Sequence, residues 1–182
     1  MPESLVILAA SLPWLVILCY YDWRYRRLPN ALTLGMAAIA LTFRFGYGGL
    51  PMGLHGLLGG LVCGLFLLIP FALKGAGGGD VKMLFAVGCL CGIIRIPGVL
   101  LSISFAGVIL AIVMLLAGKV DGSRLKHACR SIFDPTYDRA AGREKLPPRS
   151  DERVRLPFGI AIALGTTFSL ILDTIMIAGA NQ

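Results

Sequence analysis

Lys74-Gly75-Ala76-Gly77-Gly78-Gly79-Asp80-Val81-Lys82 is a glycine run closed by one carboxylate and set between two long apolar segments. The segment before it, 53–73, and the one after it, 81–94, are apolar runs of helical length. A carboxylate at such a junction is costly to hold near hydrocarbon, and positions of this kind tend to be functional. Asp80 needs a working partner, and the rest of the chain must supply it.

Of the 182 residues, 57% are hydrophobic and 15% charged, so nothing outside the apolar runs can build a soluble core. That length suits one compact bundle, a single transmembrane domain over 1–182. The formal charge of +7 raises nucleic acid as a partner. The basic residues sit in loops, however, as in an oriented membrane protein, and no nucleic-acid partner is expected. Cys19, Cys63, Cys89, Cys91 and Cys129 are odd in number and form no CxxC, which speaks against a disulfide framework or a zinc site. They read as small packing residues. His55 and His127 lie far apart and no HExxH occurs, so neither a metal nor another cofactor is expected.

Outward from the junction, apolar runs recur. The first is 5–21, broken by Pro13, and it leads into Asp22-Trp23-Arg24-Tyr25-Arg26-Arg27-Leu28-Pro29-Asn30. Because the arginines follow the apolar run, it reads as a first transmembrane helix and not a signal peptide. Asn30 can cap the next helix, 31–47, in which Arg44 is expected to snorkel to the headgroups. Gly48, Gly49 and Pro51 make a turn. Gly56, Gly60 and Gly64 then recur every four residues, share one face and allow close helix approach. After 81–94 come a turn at Arg95 and Pro97, a fifth run over 97–117, a polar loop at about 118–156, and a sixth run over 157–178. The expected fold is an all-α bundle of six transmembrane helices.

Six crossings put Arg24, Arg26, Arg27, Lys74, Lys82 and the ten basic residues of the long loop on one side, with Arg44 and Arg95 on the other. The positive side is cytoplasmic, which leaves the N- and C-termini outside. Asp22 and Asp80 then share the cytoplasmic end. Two close carboxylates cannot both ionise cheaply, so they share a proton. One takes a proton from water while the other gives one to a carbonyl or a leaving amine. The bland alternatives stand beside this. Asp22 can pair with Arg24 or Arg26, and Asp80 can serve as a helix cap. Asp173, about 24 Å along the last helix from Pro157, belongs near the outer face and outside the pair.

Gly77-Gly78-Gly79-Asp80 matches the GxGD signature of intramembrane aspartyl peptidases. Extended to Val81-Lys82, and with Asp22, Leu28-Pro29-Asn30 and Leu156-Pro157-Phe158-Gly159-Ile160-Ala161-Ile162-Ala163-Leu164-Gly165, the chain resembles the type IV prepilin peptidase family over nearly its whole length. The resemblance implies Asp22 and Asp80 as catalytic residues. It implies an aspartic endopeptidase that cleaves the leader of a prepilin or pseudopilin at the cytoplasmic face of the bacterial inner membrane. Gly77, Gly78 and Gly79 would shape the substrate approach. Lys82 matches the motif and would hold the glycine segment or a lipid phosphate, or simply anchor at the interface. Asn30 belongs to the matched segment after the first helix. Pro157 resembles a proline near the active site of related peptidases, although proline also suits any helix start. Larger members carry CxxC motifs associated with N-methylation. This chain has none and starts at its first helix, so N-methyltransferase activity is not expected. Its size resembles the peptidase-only forms that serve tight-adherence (Flp-type) pili. Membrane lipids and other pilus-assembly proteins are the remaining expected partners. The competing class is non-enzymatic, a transporter subunit or a pilus-assembly scaffold, with both aspartates as interface or ion-pathway residues.

Overall fold

The computed structural model describes residues 3–25, 27–72, 76–116 and 158–180. Pro157 and the loop at about 118–156 lie outside them, as do Arg26, Lys74 and Cys129. The described residues form five α-helices: α1 (Glu3–Tyr25), α2 (Asn30–Ala72), α3 (Gly78–Cys91), α4 (Ile96–Leu116) and α5 (Phe158–Ala180). A 3-10 turn, Ile93–Arg95, links α3 to α4, and no strand occurs among the described residues. Four helices, α1, α2, α4 with the turn before it, and α5, are long and apolar enough to cross a membrane. Their outward residues are themselves apolar, among them Val16, Ile39, Leu65, Phe105 and Met176, all exposed. Side chains of that kind are stable only against lipid or protein. The protein is a multi-pass membrane protein.

The chain divides into two compact units, residues 1–108 with 157–182, and residues 109–156. In the second unit the described residues are the last turns of α4.

α2 is 43 residues long, about 65 Å if straight, roughly twice the hydrocarbon thickness. It is not straight. Gly49 has φ 66°, in the left-handed region that glycine enters without a Cβ clash. A Cβ on Gly56 would stand 2.6 Å from Arg44 Cδ, whereas one continuous helix would separate those residues by about 18 Å. The halves 30–48 and 50–72 therefore double back on each other. The turn expected at Gly48, Gly49 and Pro51 is present, and it falls within one long helical element.

The second half of α2 runs antiparallel to α3. A Cβ on Gly59 would lie 2.6 Å from the Gly88 carbonyl oxygen, and one on Gly78 would lie 3.5 Å from the Phe71 ring. Gly56, Gly60 and Gly64 also face α3. The expected glycine stripe is the α3-facing side of α2, but the tightest backbone contact falls at Gly59, one position off it. α3 is buried from Met83 to Cys91 except for the half-buried Phe85. The cysteines of the core, Cys63, Cys89 and Cys91, are free thiols.

Arg44 departs from expectation. It does not snorkel; it is 6% exposed, and its Nε and Nη2 donate to the Leu90 carbonyl at 3.3 and 2.7 Å. The last carbonyls of a helix have no partner within it, and a cation at the negative end of the helix dipole supplies one. Gly92, at φ 77°, ends α3 beside the guanidinium, where a Cβ would come within 3.1 Å of Nη1 and Nη2. At the same end Arg95 Nε lies 3.6 Å from Asp173 Oδ2. Asp173 is thus engaged far from Asp80, as its position along α5 requires.

Candidate active site

Asp80 is the third residue of α3, and the chain turns into the helix at Gly77. Gly77 has extended backbone (φ −87°, ψ 151°), and its N–H donates to Asp80 Oδ2 at 3.0 Å. That bond gives an unsatisfied donor an acceptor and holds the carboxyl over the first turn. The capping role foreseen for Asp80 is real, and it fixes where the carboxyl points. Gly78 and Gly79 are helical. Gly78 is covered by Phe71, and a Cβ on Gly79 would stand 3.0 Å from Leu28 Cβ. Gly77 is exposed. Two of the three glycines lie against side chains of other segments, and Gly77 does not.

Asp22 lies in the last turn of α1 and is 7% exposed. Its charge is felt at Asp80. Burial pushes the Asp80 carboxyl up; the Gly77 amide opposes this, and the charge of Asp22 adds to it, leaving Asp80 at about 6 instead of 3.8. The two carboxylates, remote in sequence, interact at one end of the first unit.

The segment between them is pinned from three sides. Trp14 Nε1 donates to the Leu32 carbonyl at 2.9 Å, tying α1 to the start of α2. Leu28 packs on Gly79. Lys82 Nζ donates to Asn30 Oδ1 at 2.9 Å, tying the start of α2 to the start of α3. Lys82 and Asn30, read separately in the sequence, are one contact. Beside it Tyr21, Tyr25, Arg27, Leu28, Pro29 and Asn30 line an open depression of about 360 Å³. Tyr21 and Tyr25 stand together there, ring centroids 5.4 Å apart. Among the described residues no three His, Cys, Asp or Glu side chains converge as a metal site would need.

Sequence reasoning did not single out Gly159. It is buried on the first turn of α5, where a Cβ would stand 2.8 Å from Asp22 Oδ2. Its only signal was membership of the Leu156–Gly165 segment.

The sequence profile of the type IV leader peptidase family matches residues 9–112, more than half of the chain. The chain belongs to the type IV leader peptidase family. The match takes in Asp22, Asn30 and the Gly77–Lys82 motif, and it ends before the Leu156–Gly165 segment, so it covers less of the chain than the motifs led one to expect. A curated relative, the prepilin leader peptidase/N-methyltransferase of Escherichia coli K12, is 33% identical over 111 residues. The alignment covers 57% of this chain and 48% of the relative, so the chain spans about half the length of the protein it matches. No solved structure matches it.

The Lys82–Asn30 contact is testable. Replacing Lys82 with Met keeps the stem and removes the donor. Because the lost bond is charge-assisted but exposed, a stability loss of about 1 kcal/mol is expected. Asn30→Ala in the same background should then add nothing further, read by thermal unfolding in detergent. Additive losses would show that the two side chains act separately.

Proposed function

We propose that the chain is an aspartic endopeptidase that removes the leader from type IV prepilin-like precursors, Flp-type pilins among them, at the cytoplasmic face of the inner membrane. The observation that carries this is the placement of Asp22, buried in the last turn of α1, near enough to the half-buried Asp80 on the first turn of α3 for its charge to raise that carboxyl. In this reading α1, the two halves of α2, 81–94, α4 and α5 each cross the membrane, and the parity counted from the sequence assigns both aspartates to the side with most lysines and arginines.

In this mechanism Asp80 carries the shared proton and Asp22 accepts one from water. The water oxygen bonds to the scissile carbonyl carbon as Asp80 gives its proton to the carbonyl oxygen. On collapse the C–N bond breaks, the proton on Asp22 passes to the leaving amine, and a hydroxyl proton of the intermediate returns to Asp80. Both groups regain their starting state. The exposed Gly77 backbone and the adjoining depression give an extended peptide a place to lie. Lipid headgroups and other pilus-assembly proteins are the further partners of this reading.

Co-expression with a prepilin-like precursor is the direct test: the precursor should shorten by its leader. An unshortened precursor, with the enzyme present in the membrane, would sink the proposal. Purified protein should also lose kcat/KM as pH rises through about 6, because Asp80 then surrenders the proton it must donate. A basic limb at pH 9 or above would assign that proton elsewhere. Stability should follow the same proton. The folded chain binds it more tightly than the unfolded chain, so stability falls between pH 3.8 and about 6 and is level above, and Asp80→Asn should flatten that slope.

A further inference from the structure

The two aspartates are held by different means. Asp80 is fixed by the turn that it caps. Asp22 lies in the last turn of α1, and the first turn of α5 lies against it. A Cβ on Gly159 would stand 2.8 Å from Asp22 Oδ2, 3.1 Å from Cγ and 3.4 Å from Asp22 Cβ. The first two are closer than real Cβ contacts comfortably run, so the carboxyl rests on bare backbone, in a space that any side chain at 159 would fill.

α5 has little freedom to withdraw and make room. It packs chiefly on α1, the helix that carries Asp22, and meets α4 in antiparallel order at three glycine positions. Gly165 lies against the Ile103 backbone, a Cβ on Gly98 would meet Ser169 Oγ at 3.6 Å, and one on Gly107 would meet the Phe158 ring at 3.5 Å. The last of these anchors the residue next to Gly159. Sliding α5 would open the Gly165–Ile103 contact, where backbone meets backbone and no rotamer can compensate. A methyl group at 159 must therefore displace the Asp22 side chain.

We infer that Gly159 is a positioning residue for Asp22: its missing side chain is the seat that aims the Asp22 carboxyl at the reacting water. This rests on Asp22 acting in the cleavage reaction proposed above. Gly159 touches neither water nor peptide in this scheme; it acts only through where Asp22 points. Misplacing a catalytic group by about 1 Å costs on the order of 100-fold in rate, and ground-state binding need not change.

The test uses the full chain in detergent or nanodiscs with a purified prepilin-like precursor. Gly159→Ala should lower kcat by about 100-fold while KM stays within about twofold. An unchanged kcat, or a loss confined to KM, would overturn the inference. Thermal unfolding supplies a readout independent of activity. The Tm lost by Gly159→Ala should be largely recovered when Asp22→Ala removes the atoms that the methyl meets. An equal loss of Tm in both backgrounds would place the clash elsewhere and overturn it too. Full cleavage by Asp22→Asn would instead remove the catalytic reading of Asp22, while the thermal cycle would still report whether Gly159 seats that side chain.

Discussion

Asp22→Asn and Asp80→Asn should each cut leader cleavage by about 1,000-fold or more while the protein still accumulates in the membrane. Each change keeps the shape of the side chain and removes its acid–base chemistry. An amide cannot take a proton from water, nor pass one to a carbonyl oxygen. At position 80 the fold should survive, because an asparagine oxygen can still accept from the Gly77 N–H. At position 22 a buried, costly carboxyl is replaced by a neutral group of equal size. The double variant should be no slower than the worse single one, because groups that act as a unit lose their function together. Cleavage by purified protein, with membrane content checked by immunoblot, reads both results. Near-normal cleavage by either variant would break the dyad.

What the sequence could convey about this site depended on how far each signal reaches along the chain. The Gly77–Asp80 motif, the basic segment after α1 and the turn at Gly49 are local, and each could be read from neighbouring residues. The expectation that Asp22 and Asp80 share one end came from counting crossings, which needs only run lengths, and the influence of the Asp22 charge on Asp80 is in keeping with it. Side-chain partners in another helix were out of reach. Arg44 looked like an interfacial arginine because it lies near the end of an apolar run. Its burial depends on the Leu90 carbonyl, which is freed only because α3 stops at Gly92. Lys82 and Asn30 were both noticed, but nothing in their spacing says that they touch. Gly159 was least legible of all. Its significance is the absence of an atom beside Asp22, and an absence leaves no pattern in one sequence.

Gly88→Ala should be the most damaging single-methyl change in the α2–α3 contact, costing about 3 kcal/mol or more of stability. The reason is what the methyl meets. A Cβ on Gly88 would run into the carbonyl of Gly59 and come within 2.7 Å of Gly60 Cα, all backbone atoms. A crowded side chain can change rotamer, whereas a crowded helix must move as a body. Moving α3 away from α2 would also pull Leu90 from Arg44 and leave a buried guanidinium with one partner fewer. Because α3 carries Asp80 and Lys82 at its other end, cleavage should fall together with stability. Two alanine controls separate this from a general intolerance of methyl groups. Gly64→Ala would place its Cβ 3.6 Å from the Phe85 ring, an ordinary contact, and Gly35→Ala would meet nothing within 4 Å. Both should be nearly neutral or slightly stabilising, since alanine is the better helix former. Thermal unfolding of the four proteins in one detergent decides it. If Gly88→Ala melts with the controls, the two helices do not pack backbone to backbone, and the route by which α2 fixes the height of Asp80 is lost.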